Sequence, residues 1–179
     1  MKDRSPEIVA LLQKLGHKLV LAESCTCGLI ASSLGRVPGV SKSLCGSAVV
    51  YRADLKRRWL GVKKNTIKNH TTESIQVATQ IAKGVLKNAP EAKWSLGVVG
   101  HLGPDAPKNK DGVIHIAIIF RNEEGDLKII NQNSLTLATT GRENRMIEAA
   151  NLALVALHSH LYIKTLRQIQ NVVPASEDD

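Results

Sequence analysis

The chain has 179 residues, of which 43% are hydrophobic, 22% charged and only 3% aromatic. That balance suits one soluble globular domain with a core of Val, Leu, Ile and Ala, and it favours an α/β layered domain over an aromatic-rich sandwich. Twenty-four Lys and Arg against 16 Asp and Glu leave a formal charge of +8. Three cysteines are too few for a disulfide framework and fit a reducing compartment, and no apolar run approaches the roughly 18 residues of a membrane span. The expectation is a cytoplasmic protein.

In chain order, Ser5-Pro6-Glu7 reads as an N-cap followed by Pro at the first helical position. The helix runs to about Leu15, with Ile8, Leu11, Leu12 and Leu15 on one face. "KLVLA" (18–22) is a short apolar strand, and "GLIASSLGRV" a helix that Gly28 lets approach it. After the break at Pro38-Gly39, "SAVVY" (47–51) is a second strand, followed by the basic helix "DLKRRWLGV" and a short helix near Asn65–Asn69. Thr71 or Thr72 is expected to cap a long helix in which Ile75, Ala78, Ile81, Ala82 and Val85 recur at helical spacing. Three strand-like runs follow, 95–100, 113–120 and 127–138, the last expected to break at Asn131–Asn133. A final helix spans about Arg142 to Leu161.

This order predicts a single three-layer α/β/α domain with a central mixed sheet over residues 1–165, and a flexible polar, acidic tail over 166–179. In such sheets ligands bind beyond the carboxyl ends of the strands, so the loops after strands one, two and three are where chemistry is expected. The basic stretch 55–70 reads as a solvated helical face, with a nucleic-acid patch as the less favoured alternative.

The first of those loops, in "LAESCTCG" (21–28), crowds Ser24, Cys25, Thr26 and Cys27 behind Glu23. Cys25-x-Cys27 has neither zinc-finger nor C-x-x-C redox spacing, and the histidines His70, His101, His115, His158 and His160 are scattered, so no metal is expected. The cysteines read as small space-filling residues more readily than as nucleophiles. Ser24 sits at a strand-to-helix junction, where the N–H groups that follow are placed to stabilise an oxyanion. A serine hydroxyl needs a base, and Tyr51 and Lys56 lie at the same sheet edge, where a desolvated lysine takes a proton and a tyrosine orients it. On spacing alone a helix cap at Ser24 and a surface cation at Lys56 remain open alternatives. In "VGHLGP" (99–104), Gly100 and Gly103 would let a ligand approach the backbone, or are simply turn glycines.

Taken together, "AESCTCGLIASSLGRVPGVS", "GSAVVYRADLKRRWLGV" and "VVGHLGPD…DGVIHIAI" resemble the CinA C-terminal family of nicotinamide mononucleotide deamidases. Its usual motifs are A-E-S-C-T-G-G, Y-S-N-E-A-K with a following L-G-V, and T-G-I-A-G-P before a G-T-V strand. The resemblance is collinear from about residue 7 to 162. It implies a three-layer α/β/α fold and hydrolysis of the carboxamide of nicotinamide mononucleotide to nicotinic acid mononucleotide and ammonia. The implied catalytic residues are Ser24, Tyr51 and Lys56, and the implied substrate contacts are Glu23, Cys25, Thr26, Gly100, Gly103 and Arg142. Arg142 is expected at the phosphate in preference to Arg145. No cofactor or metal is implied; the partner is a small pyridine nucleotide, with no membrane or nucleic acid and with a homo-oligomer left open. The chain departs from the pattern at Cys27, in place of Gly; at Val99, in place of Thr or Ser; and at His101-Leu102, in place of Ile-Ala. These departures keep a second expectation alive, a catalytically impaired ligand-binding or regulatory domain with an altered pocket.

Overall fold

The computed structural model describes residues 2–170. A five-stranded sheet runs in the order β2-β1-β3-β4-β5, built from β1 (Leu19–Glu23), β2 (Leu44–Val49), β3 (Trp94–Gly100), β4 (Val113–Arg121) and β5 (Leu127–Thr136). β2, β1 and β3 are parallel, and β4 and β5 add antiparallel, so the sheet is mixed as expected.

The period-two alternation of the strands divides the core. Leu19 and Leu21 of β1, Leu96 and Val98 of β3, and Ile114, Ile116 and Ile118 of β4 face one layer. That layer holds α1 (Ser5–Leu15), α2 (Leu29–Gly35) and α6 (Arg142–Gln170). Val20, Ala22, Val99, Ala117 and Ile119 face the other layer, of α3 (Ala53–Leu60), α4 (Lys64–His70) and α5 (Ile75–Asn88). α5 is buried at Val77, Ala78, Ile81, Ala82, Val85 and Leu86, the stripe its helical repeat predicts. Each fully buried Leu or Ile contributes about 1.5–3 kcal/mol of transfer free energy; such residues dominate the first layer, and Val and Ala the second.

Several boundaries differ from expectation for local reasons. Ser5 is inside α1 rather than its cap: the Asp3 carboxylate accepts from the Ser5 N–H at 2.9 Å, and the helix begins one residue early, with Arg4 at the N-cap. Ser74, not Thr71 or Thr72, caps α5, its hydroxyl accepting from the Val77 N–H at 3.4 Å. β2 begins and ends earlier than 47–51, which leaves Tyr51 beyond the strand. β5 does not break at Asn131–Asn133. Asn131 pairs with Ile118 and Ile129 with Ile119, so a one-residue bulge at Ile130 absorbs the irregularity and pairing continues.

α6 runs past both the expected helix end at Leu161 and the expected domain end at 165, to Gln170; residues 171–179 of the expected tail lie outside the described residues. Among the described residues α6 is the one helix whose length and mean hydropathy, 1.2 over 18 residues, reach those of a membrane span. It is a layer of the fold all the same. Ala149, Ala150, Ala153, Leu154, Leu157 and Leu161 are buried in the core it shares with α1 and α2.

Candidate active site

Alternation along β1 puts Leu21 and Glu23 on the same face, beneath α2, and the Glu23 side chain is fully buried there. One carboxylate oxygen accepts from Thr26 Oγ1 at 2.7 Å and from the N–H groups of Gly28 and Ile30 at 3.0 and 3.1 Å. The other accepts from the Ala31 N–H at 2.9 Å and Ser47 Oγ at 3.2 Å. A buried carboxylate is tolerable only with such a set of donors, and this one holds the loop to the sheet. Glu23 and Thr26, expected at the substrate, are turned into this internal network and do not line the cleft.

The same network corrects the expectation that the amides of the helix start are free. Glu23 takes three of them, and the Cys27 and Leu29 N–H groups bond to the carbonyls of Ser24 and Thr26 at 3.1 and 3.0 Å. The Ser24 N–H is taken by the Val98 carbonyl, which leaves the N–H groups of Cys25 and Thr26 without a backbone partner among the described residues.

A cleft of about 170 Å³ lies at the carboxyl ends of β1, β2 and β3. Ser24 and Cys25 line it from the loop after β1, Tyr51 from the loop after β2, and Gly100 to Ala106 from the segment after β3. Glu73, just before α5, and Arg142, the first residue of α6, complete the lining. A larger groove of about 720 Å³ runs along β2 past Cys45, Trp59 and Val85 and contains none of the expected site residues. The smaller cleft is the one with convergent polar groups.

Ser24 is nearly buried, its N–H fixed to the Val98 carbonyl at 3.0 Å. Tyr51 is half exposed, and its hydroxyl accepts from Arg142 Nη2 at 2.5 Å. Arg142 Nη1 donates to the Gly103 carbonyl at 2.6 Å, so one guanidinium ties together the loops after β2 and β3. Arg145 is engaged elsewhere, in a two-pronged pair with Asp111 at 2.7 and 2.8 Å.

Lys56, on α3, is fully buried rather than a surface cation. Its Nζ donates to the Thr72 carbonyl at 3.3 Å and lies 3.9 Å from Glu73 Oε1. Burial pushes the Lys56 pKa below the usual lysine value, with the Glu73 carboxylate pulling the other way. Burial likewise pushes the Cys25 thiol up to about 12, so it is a neutral wall of the site at physiological pH.

Both glycines expected to admit a ligand line the cleft, but other contacts require them. A Cβ on Gly100 would stand 2.7 Å from the Val113 carbonyl of the paired strand. Gly103, at φ +69°, would bring one to 3.0 Å from Arg145. Two of the three departures from the motif, Cys27 and Val99, are accommodated. Cys27 takes φ +50°, the left-handed conformation that suits glycine, with its side chain outside. Val99 is fully buried against the α5 layer, away from the cleft.

Glu73 and Asp105 are cleft residues that the motifs did not single out. Glu73 precedes a helix cap and reads in sequence as an ordinary acid at a helix start; only tertiary structure sets it beside Lys56. Among the described residues no three His, Cys, Asp or Glu side chains are placed to share a metal ion.

The family model of the CinA C-terminal domain matches residues 2–161. A CinA-like protein of Myxococcus xanthus is 37% identical over 157 residues, 86% of this chain and 35% of its own length. One of Syntrophomonas wolfei is 31% identical over 154 residues, 86% of this chain and 36% of its own. The chain thus spans about a third of the length of these relatives. Among solved structures, the competence/damage inducible protein CihA of Agrobacterium tumefaciens superposes with a TM-score of 0.79 at 29% identity, covering 88% of this chain and 93% of that one. A CinA superfamily protein of Klebsiella pneumoniae superposes with a TM-score of 0.79 at 23% identity, over 88% and 95%, a likeness of fold. With the family model spanning nearly its whole described length, the chain belongs to the CinA C-terminal domain family.

Proposed function

We propose that the chain is an amidohydrolase that converts nicotinamide mononucleotide and water to nicotinic acid mononucleotide and ammonia. The observation that carries this reading is the convergence of Ser24, Tyr51 and Arg142 on one cleft with the buried amine of Lys56 behind it, in a member of this family. Neutral Lys56 takes the proton of Ser24, and the hydroxyl oxygen attacks the carboxamide carbon. Tyr51, oriented by Arg142, assists the transfer. The oxyanion is met by the N–H group of Cys25, which lines the cleft. Collapse of the tetrahedral species breaks the C–N bond, and the departing nitrogen takes a proton from the Lys56 ammonium and leaves as ammonia. Water then attacks the Ser24 ester with Lys56 again as base, releasing the acid. Arg142, at the cleft rim, is the group for the substrate phosphate.

The test is ammonia release from nicotinamide mononucleotide by the purified protein beside its Ser24→Ala variant. Release by the first and not the second is expected; equal release, or none, removes the proposal. Calorimetric binding of the nucleotide without turnover would leave a ligand-binding domain instead.

A further inference from the structure

Glu73 has its two carboxylate oxygens turned toward different groups. Oε1 lies 3.9 Å from Lys56 Nζ, and Oε2 lies 3.6 Å from His101 Nε2. The side chain is only 23% exposed, so its charge is poorly screened. His101 Nε2 is itself buried and makes no hydrogen bond among the described residues.

The groups around Lys56 can be taken element by element. From the segment before α5 come the Glu73 carboxylate and the Thr72 carbonyl, the acceptor of the Lys56 hydrogen bond. From the loop after β1 comes the Cys25 thiol, which burial keeps protonated. From the segment after β3 comes His101, by way of Glu73. Arg142 lines the same cleft, with one donor each on Tyr51 and the Gly103 carbonyl and no hydrogen bond to Lys56. Among the described residues, Glu73 is the one carboxylate within ion-pair distance of Lys56.

We propose that Glu73 is a positioning residue of this site, fixing the Lys56 amine in place and setting the pH at which it becomes a base. The inference rests on the reading of Lys56 as the base of the deamidation, and it deepens that reading. Two opposed influences meet on the amine. Burial disfavours the ammonium and favours the base form, while the Glu73 carboxylate 3.9 Å away favours the ammonium. Without Glu73 the amine would lose its proton more readily but would lack the one anionic partner that holds it. With Glu73 the base returns to the ammonium after it accepts the Ser24 proton, which stores that proton for the departing ammonia. Glu73 exchanges no proton in the cycle.

The experiment follows the Lys56 side-chain resonances against pH by NMR, with selectively labelled lysine and Lys56→Arg to assign the signal. In Glu73→Gln the Lys56 midpoint is expected to fall by roughly 1–3 pH units, and in Glu73→Asp, whose charge is withdrawn by one methylene, by less. The acidic limb of kcat/KM for nicotinamide mononucleotide should move down with the midpoint, a readout that loss of packing alone would not give. Thermal unfolding confirms that each variant is folded, and the Asp variant carries the test should the Gln variant not fold. An unmoved or raised midpoint overturns the inference, even in a protein that deamidates. A lowered midpoint in a protein that releases no ammonia overturns the deamidase reading and with it the role of Glu73 in catalysis, while the charge coupling of the two residues stands.

Discussion

Arg142 donates to the Tyr51 hydroxyl at 2.5 Å, joining the start of α6 to the end of β2 across 91 positions of sequence. With its other arm on the Gly103 carbonyl, the guanidinium is a strut for the cleft and the cation nearest its rim. A charge-assisted hydrogen bond to a phosphate is worth about 1.5–3 kcal/mol. Arg142→Ala is therefore expected to raise KM for nicotinamide mononucleotide roughly 10- to 100-fold, with a smaller fall in kcat from the loosened Tyr51. Steady-state kinetics decide it. A fall confined to kcat would place Arg142 at Tyr51 alone and remove it from the phosphate.

Lys56 sets stability against chemistry. In the fold its pKa is below the value it has in the unfolded chain, because burial penalises the ammonium. Between the folded and unfolded values the unfolded chain holds more protons, so stability rises with pH through that window; below both values the whole penalty is present. Lys56→Met removes the titration and retains the buried volume. It is expected to raise stability at neutral pH by removing the burial penalty on the amine, to flatten the alkaline rise in stability, and to abolish turnover. Urea unfolding at neutral and alkaline pH, beside the ammonia assay, gives all three readings. A less stable Lys56→Met protein would show that the Thr72 and Glu73 contacts outweigh the burial cost.

Glu23 has the opposite balance. Its carboxylate satisfies three backbone N–H groups and two hydroxyls in the interior. Glu23→Gln replaces one acceptor oxygen by a donor facing other donors, which is expected to cost about 3–5 kcal/mol and to lower Tm by roughly 10 °C. Calorimetry measures it. If the variant keeps its Tm and loses only substrate affinity, Glu23 belongs to the binding site after all.

What the sequence discloses and what it hides divide along physical lines. The layers were legible because the short apolar runs "LVLA" and "VIHIAIIF" read as strands and the repeat from Ile75 to Val85 specifies a helix face. The loops that carry Ser24 and Tyr51 followed from where parallel strands end. Lys56 was a candidate base from its place at the sheet edge, but its burial was not legible, since a lysine in "DLKRRWL" carries no mark of it. Glu73 had no local signature at all, and the donors gathered by Glu23 come from positions three to twenty-four residues away. Helix starts were misplaced where a neighbouring side chain, Asp3 or Ser74, won the capping contact. Pairing across β4 and β5 placed the irregularity at Ile130, where polar composition had suggested a break at the asparagines.

The two cysteines of "LAESCTCG" should behave as different reagents. Cys25 is 4% exposed with its thiol pushed up to about 12, so the thiolate is scarce and shielded. Cys27 is exposed, at φ +50°. Iodoacetamide at neutral pH is expected to alkylate Cys27 in the folded protein and to spare Cys25 until denaturant is added, as peptide mass spectrometry will show. The strain at Cys27 makes a second, separable prediction. A left-handed non-glycine residue costs about 1–2 kcal/mol, while glycine returns about 0.4–1 kcal/mol of that in unfolded-state entropy. Cys27→Gly should then stabilise the protein by a fraction of a kcal/mol, leave kcat/KM equal or higher, and abolish labelling of the native loop. Loss of activity in Cys27→Gly would mean that the thiol itself contributes to the chemistry. Labelling of Cys25 in the native protein would mean that the loop opens far enough to expose Ser24's neighbour to solvent, which the Glu23 network should prevent.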